Sequence, residues 1–388
     1  MATDLVSTVK GEAAEGVAAD QRPPEKMVSP RPSSVRLLSL DAFRGFTMFW
    51  IVGGTSLMLG LQNLGHNSAL DTIVNQLQHT DWQGLRFYDL IWPCFMLMTG
   101  MSLPFSYAKR SQTQTQWQIF LRVLRRVVVL FLLGSLRTSV QLGSPYLVEL
   151  SSALQPIAIS YLAAFLLVRQ STKVQAAAGA SILVGYAILL AFVPATGVPA
   201  GSYQRGANLV LSADLAVLGR ALPEGWGTVL SVIPTISTTI LGLLIGKLLM
   251  SSRPARGKIR ILGAVGVSGV ALGWMMNPVI PVVMKLWTAS YGVVSAGWAC
   301  LLFLAFYWVI DVRGHAKWAF PFRVIGMNAV AIYMAGTLVP LRKIVGVFAT
   351  PIAAGMGAFG LLFEAVALLI VEWLILYWMY KRQIFLTA

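Results

Sequence analysis

Runs of roughly twenty apolar residues recur along the chain, the length a helix needs to cross about 30 Å of hydrocarbon. They fall at 42–61, 86–107, 119–138, 147–168, 174–194, 229–250, 260–281, 289–310, 321–340 and 359–380. In lipid an unpaired backbone polar group is too costly for an open segment, so such runs must be helical. The expected fold is all-α: a polytopic membrane helix bundle of about ten transmembrane helices. Composition agrees, because 56% of the residues are hydrophobic and 12% charged, where a soluble domain carries about 25% charged residues.

The net charge of +15 is a membrane signature here and not a nucleic-acid one, because the basic residues sit in short links between apolar runs. Alternating the runs from an inside N-terminus places twenty-three of the thirty Lys and Arg residues on the cytoplasmic side. The seven left outside are Arg86, Arg137, Arg205, Arg220, Lys285, Arg342 and Lys343. That asymmetry predicts an N-in/C-in topology and an even number of spans, as for a multi-pass protein of the cell inner membrane.

Residues 1–35 are polar, with Pro23, Pro24, Pro30 and Pro32. They lack the apolar core of a secretory signal and read as a disordered cytoplasmic tail, ahead of a membrane domain over 36–388. Cys94 and Cys300 each lie in an apolar run, and the three histidines have no metal-binding spacing, so neither a disulfide framework nor a metal site is expected. Gly242 with Gly246, and Gly269 with Gly273, are small-xxx-small pairs that let helix backbones approach closely. Trp82, Trp117, Trp287, Tyr377 and Trp378 fall near span ends, as in an interfacial aromatic belt. Two outer links, 62–85 and 195–228, are long enough to be functional.

Several ionisable residues stand out. Asp41 and Arg44 share a helical face at the inner end of the first span, where they either anchor the helix or meet an anionic ligand arriving from the cytoplasm. His79 precedes the second span and Asp89 falls just inside it. A histidine takes and returns a proton near neutral pH, and a carboxylate at membrane depth marks a functional site by default. Arg122, Arg125 and Arg126 cluster at the inner end of the third span, which suits either positive-inside placement or a polyanion. Asn328, Glu364 and Glu372 lie within spans and need partners there.

These pieces occur in an order that resembles the heparan-α-glucosaminide N-acetyltransferase family of multi-pass acyltransferases and its bacterial relatives. The matching residues are Arg36-Leu-Leu-Ser-Leu-Asp-Ala-Phe-Arg-Gly45, His79-x-x-Trp82-x-Gly84, Asp89-Leu-Ile-Trp-Pro93-Cys-Phe95, Leu241-Gly242, Lys285-Leu-Trp-Thr-Ala-Ser-Tyr291 and Gly326-Met-Asn328. The resemblance implies transfer of an acetyl group from cytoplasmic acetyl-CoA to an amino sugar or glycan on the outer side of the membrane. His79 occupies the position of the family's active-site histidine, as catalytic base or transient acyl carrier, with Asp89 orienting it. The phosphates of the CoA thioester would meet Arg44, Arg122, Arg125 and Arg126. The acceptor and the developing oxyanion would meet residues drawn from Asp41, Thr55, Trp82, Trp287, Ser290, Tyr291 and Asn328.

The chain departs from the family pattern at Thr55, where relatives carry asparagine, and at Leu154-Gln155-Pro156, where a basic residue is replaced by a proline. It also carries no large luminal domain ahead of residue 36, so a bacterial envelope amino sugar or glycan hydroxyl is the expected acceptor. A rival reading takes Asp89, Glu364 and Glu372 as relays of a proton-coupled transporter or flippase for an envelope precursor, with Pro93 and Pro234 as gates. A member that only binds a partner is a third. The expected surroundings are the lipid bilayer, a CoA thioester and a sugar acceptor, without metal or nucleic acid. The oligomeric state stays open, a homodimer included.

Overall fold

In the computed structural model, which describes residues 37–148, 150 and 152–386, every one of the ten apolar runs overlaps a helix. In order these are α1 (Leu38–Gln62), α2 (Ser68–Gln76), α3 (Ile91–Arg110), α4 (Gln116–Leu142), α5 (Leu154–Leu166), α6 (Thr172–Phe192), α7 (Leu209–Leu218), α8 (Val232–Met250), α9 (Ala255–Met276), α10 (Ala289–Tyr307), α11 (Phe320–Met327), α12 (Ala329–Leu338), α13 (Leu341–Ala354) and α14 (Gly360–Lys381). The strand content among the described residues is one two-residue hairpin, Tyr203–Gln204 against Ala207–Asn208. The tail expected at residues 1–35 lies outside the described residues.

Six helical segments are long and apolar enough to cross a membrane: 87–110, 172–192, 232–250, 255–276, 289–312 and 357–381. The bent pair α12–α13 makes a seventh if it counts as one span. The chain is therefore an all-helical, multi-pass membrane protein. α1 and α4, of 25 and 27 residues, are also long enough, but they carry charged side chains: Asp41 and Arg44 in α1, and four arginines in α4.

Three segments differ from the sequence expectation. The run at 147–168 is helical only from Leu154. Gln155 turns its side chain back, accepting from Leu150 N at 2.7 Å and donating to Ser135 Oγ at 2.9 Å and Leu147 O at 3.0 Å. Its neighbour Pro156 breaks nothing, because it sits in the first turn, where its missing N–H has no helical partner to lose. The run at 321–340 is interrupted at Asn328 (φ −124°, ψ 35°). That side chain donates to Ile384 O and accepts from Leu386 N, a tertiary tie made at the single residue between the two helices. Finally, α13 follows α12 at 73° across Pro340.

Local chemistry starts and stops the helices. Thr115 and Gln118 cap each other's backbone N–H at the start of α4, a capping box, and Gly143 closes that helix at φ 66°. α1 has no cap of its own. Asp311, in a π-helical turn after α10, instead accepts the N–H groups of Leu38 and Ser39 at 3.2 Å each, satisfying donors a helix start leaves orphaned.

Both glycine pairs read from the sequence mark close helix crossings. A Cβ at Gly242 would lie 2.1 Å from Leu97 O in α3, and one at Gly273 would lie 2.5 Å from Val294 N in α10. The same holds for Gly45, where an added Cβ would meet Phe322 O of α11 at 1.6 Å.

These packings bring particular links together. At one end of the bundle the 63–86 link meets the segment before α10 and the 195–228 link: Gly84 N donates to Val282 O at 2.8 Å, Trp82 Nε1 to Tyr203 O at 2.8 Å and Gly227 N to Lys285 O at 2.9 Å. At the other end gather the start of α1, Asp311, Asn328 and the segment after α14. α1 begins and α14 ends at the same end.

Candidate active site

Asp89 sits in a 3₁₀ turn, Phe87–Leu90, that leads into α3. It is fully buried, and its carboxylate is surrounded by donors. His79 Nδ1 lies 2.9 Å from Oδ1, Arg86 N donates to Oδ2 at 2.9 Å, and both the backbone N–H and the hydroxyl of Thr80 donate to it. An ionised carboxylate only accepts, so Nδ1 of His79 carries the proton. In the neutral imidazole this tautomer leaves the lone pair on Nε2. Arg86 Nη1 donates to His79 O at 2.7 Å, which closes the 79–89 segment on itself. Tyr291 OH donates to Asp89 O at 2.7 Å and fixes the turn against α10.

Two aromatic rings hold the imidazole from the sides. Tyr88 stands 4.7 Å away, centroid to centroid, and Trp226 meets His79 edge-on at 5.3 Å. The side chain is still 36% exposed, because it opens into a cavity of about 580 Å³. Met48, Ile51, Phe95 and Ile157 make most of the cavity wall apolar, while Arg137 and Thr138 are polar groups on it.

Trp226 is held by its own loop. Asp214 accepts Thr228 N at 2.9 Å and Val229 N at 2.8 Å, yet burial pushes its carboxyl above the ordinary aspartate range. Lys285, 3% exposed, donates to Glu224 Oε2 at 3.1 Å and Glu224 O at 3.2 Å. Its ammonium also lies 5.7 Å from the Trp226 ring centroid. The hydrogen bond from Lys285 holds the Glu224 carboxyl below the usual carboxylate range.

Thr55 Oγ1 is 3.3 Å from Tyr88 OH, one side chain removed from His79. Trp82 packs over the loop end through its bond to Tyr203. Trp287 is not an interface anchor: it is 1% exposed, because a left-handed backbone (φ 47°) turns it inward against Trp92 and Tyr291. Ser290 is buried and donates to Pro281 O, and Asn328 is committed to the C-terminal segment at the opposite end. Asp41 and Arg44 pair at 3.7 Å at that end too. Arg122 and Arg125 are exposed, and Arg126 stacks over Tyr161 at 4.7 Å. None of these four arginines lines the His79 cavity. Among the described residues no three His, Cys, Asp or Glu side chains gather to hold a metal.

Arg137, Tyr333, Tyr88 and Trp226 line the cavity without having been singled out from sequence. Arg137 carried a signal, as a cation inside an apolar run. Trp226 carried none, because a loop tryptophan is ordinary.

Residues 36–215 match a domain of unknown function, DUF5009. The match spans α1 through most of α7, and so includes His79, Asp89 and Arg137, but neither Trp226 nor Lys285. No curated protein matches the chain.

Proposed function

We propose that the protein is a membrane acyltransferase in which His79 removes a proton from an acceptor amine or hydroxyl while Asp89 holds the imidazole in its Nδ1–H form. One observation carries this reading: a buried carboxylate with its donors satisfied fixes a half-exposed histidine at the mouth of a largely apolar cavity. Base and orienting carboxylate within hydrogen-bond reach are what acyl transfer needs.

The donor in this reading is acetyl-CoA, with its acyl end in the apolar cavity, and the acceptor is an amino sugar or glycan. As the acceptor nitrogen bonds to the thioester carbonyl carbon, Nε2 takes its proton. The tetrahedral intermediate then expels the thiolate, which takes that proton and leaves as free CoA. Arg137 and Thr138 are polar groups on the cavity wall, alongside Gln141, Glu224 and Thr228, and the Thr138 hydroxyl is buried without a partner among the described residues. Both suit an oxyanion that develops there.

The reading includes ten crossings, with α1, α4, α5 and the interrupted α11–α12 added to the six apolar spans. It also takes the His79 end as the outer face of the inner membrane, in line with the basic-residue asymmetry. Radiolabelled acetyl transfer to glucosamine by purified protein in liposomes tests it. His79→Ala should lower the rate by about 10²–10⁴-fold while acetyl-CoA binding, followed by calorimetry, is retained. Full transfer by His79→Ala would refute the mechanism. Sugar movement across the bilayer without acetyl-CoA would favour the transporter.

A further inference from the structure

The His79 cavity shares a wall with a second one. Ile51, Arg137 and Tyr333 line both, and the Arg137 guanidinium lies 4.3 Å over the Tyr333 ring. The second cavity, of about 460 Å³, lies between α1, α12, α13 and α14. Its charged lining residues are Arg137, Arg342, Lys343 and Glu372. Among the described residues none of the three cations has an ion-pair partner. The lining is thus positive by two charges with Glu372 ionised and by three with it protonated. Arg342 and Lys343 are exposed and Arg137 is half-buried, so the cluster is open to an anion, and arginine and lysine pair readily with phosphate.

A third space continues from the second. Val52 and Glu372 border both, and the rest of this 400 Å³ groove is apolar, formed by side chains such as Phe49, Phe322, Ile325 and Leu369. Val366 and Ile370 on its rim are exposed, on a helix that also faces outward through Leu361 and Leu374. The three spaces together run from a general base, past unpaired cations, to an apolar groove at the lipid-facing surface.

That order matches one kind of molecule. We propose that the acceptor is a lipid-anchored sugar phosphate: its phosphate binds between Arg137, Arg342 and Lys343, its sugar reaches His79, and its hydrocarbon chain lies in the groove between α1, α11 and α14. The sugar's part in this rests on the acyltransferase reading, whereas the phosphate and chain sites do not. Arginine and lysine supply charge-assisted hydrogen bonds to phosphate, and the chain loses no water by moving from bilayer to groove, so the phosphate contacts select the ligand.

The test uses the full chain in detergent and three binding probes: farnesyl phosphate, farnesol and inorganic phosphate. Farnesyl phosphate should bind saturably and more tightly than either fragment. Arg342→Gln with Lys343→Gln should weaken it by about tenfold, the loss of one or two charge-assisted bonds, and leave farnesol unchanged. Should that pair fail to fold, Val366→Trp on the exposed rim should block farnesyl phosphate while inorganic phosphate still binds. With acetyl-CoA, farnesyl-phosphoglucosamine should be acetylated in preference to glucosamine, and the double substitution should erase the preference.

The proposal falls if farnesol or phosphate alone binds as tightly as farnesyl phosphate, or if neither set of substitutions matters. It also falls if phosphatidylglycerol competes equally, for then the occupant is bulk lipid. Acetylation of both acceptors at equal rates, with flat binding results, would sink the lipid phosphate and leave the acyltransferase standing. Charge-dependent farnesyl phosphate binding with no acetyl transfer to either acceptor would do the reverse.

Discussion

Lys285 shows how much one buried charge decides. Its ammonium is enclosed, with Glu224 as its ion-pair partner. Neutralising the carboxylate leaves a buried cation with only neutral acceptors, whereas removing the lysine leaves only an exposed acid. Glu224→Gln should therefore lower stability by about 1–3 kcal/mol, and Lys285→Met by less, as read from melting temperatures in detergent. The pH dependence has a definite sign. The folded Glu224 carboxyl lies below its ordinary value, so the pair's contribution is present above the usual glutamate range near pH ~4. It is lost as pH falls through the depressed folded value. The melting difference between wild type and Glu224→Gln should accordingly vanish under those acid conditions; a difference unchanged by acid would show that the pair does not hold the Trp226 loop. At this scale the sequence was partly legible. His79 and Asp89 are neighbours along the chain, so their pairing follows from a local turn. Lys285 and Glu224 are not, and no local pattern joins them.

At the scale of elements, glycines decide which helices touch. A Cβ at Gly100 would sit 1.9 Å from Thr239 O, and Gly242 faces the same contact from α8. Neighbouring backbone cannot yield as a flexible side chain would. Gly100→Val should destabilise the α3–α8 crossing by about 1–3 kcal/mol, seen as a lower melting temperature. Because α3 continues directly from the turn that holds Asp89, the proposed acetyl transfer should fall with it. Wild-type melting in this variant would mean that the two helices are not in contact at Gly100. The spacing of Gly242 with Gly246 and of Gly269 with Gly273 announced close crossings but not their partners. A small-xxx-small face is compatible with many neighbours, and only the packed bundle selects α3 for one and α10 for the other.

At the scale of the whole molecule, both ends of the bundle are assembled from links far apart in sequence. Orientation can be checked by cysteine labelling in intact cells, since native Cys94 and Cys300 are buried. Gln204→Cys and Ser252→Cys each place a thiol at an exposed position. A membrane-impermeant maleimide should label the first and spare the second. The opposite pattern would invert the proposed topology and place His79 in the cytoplasm, and labelling of both would break the alternation of crossings.

The sequence by itself determined that this is a helical membrane protein, because the length of an apolar run and the cost of an unpaired backbone group in lipid are properties of a segment alone. It also marked His79 and Asp89, which lie on one short stretch of chain. Only the tertiary structure decided the rest of the site: that Trp226 closes on His79, that Lys285 holds its loop, and that Arg137 stands between two cavities. It also moved Trp287 from the membrane surface to the core and interrupted the run at Asn328. In each case the deciding interaction joins residues brought together by helix crossings, whose energies depend on which surfaces meet and are not written in any one segment.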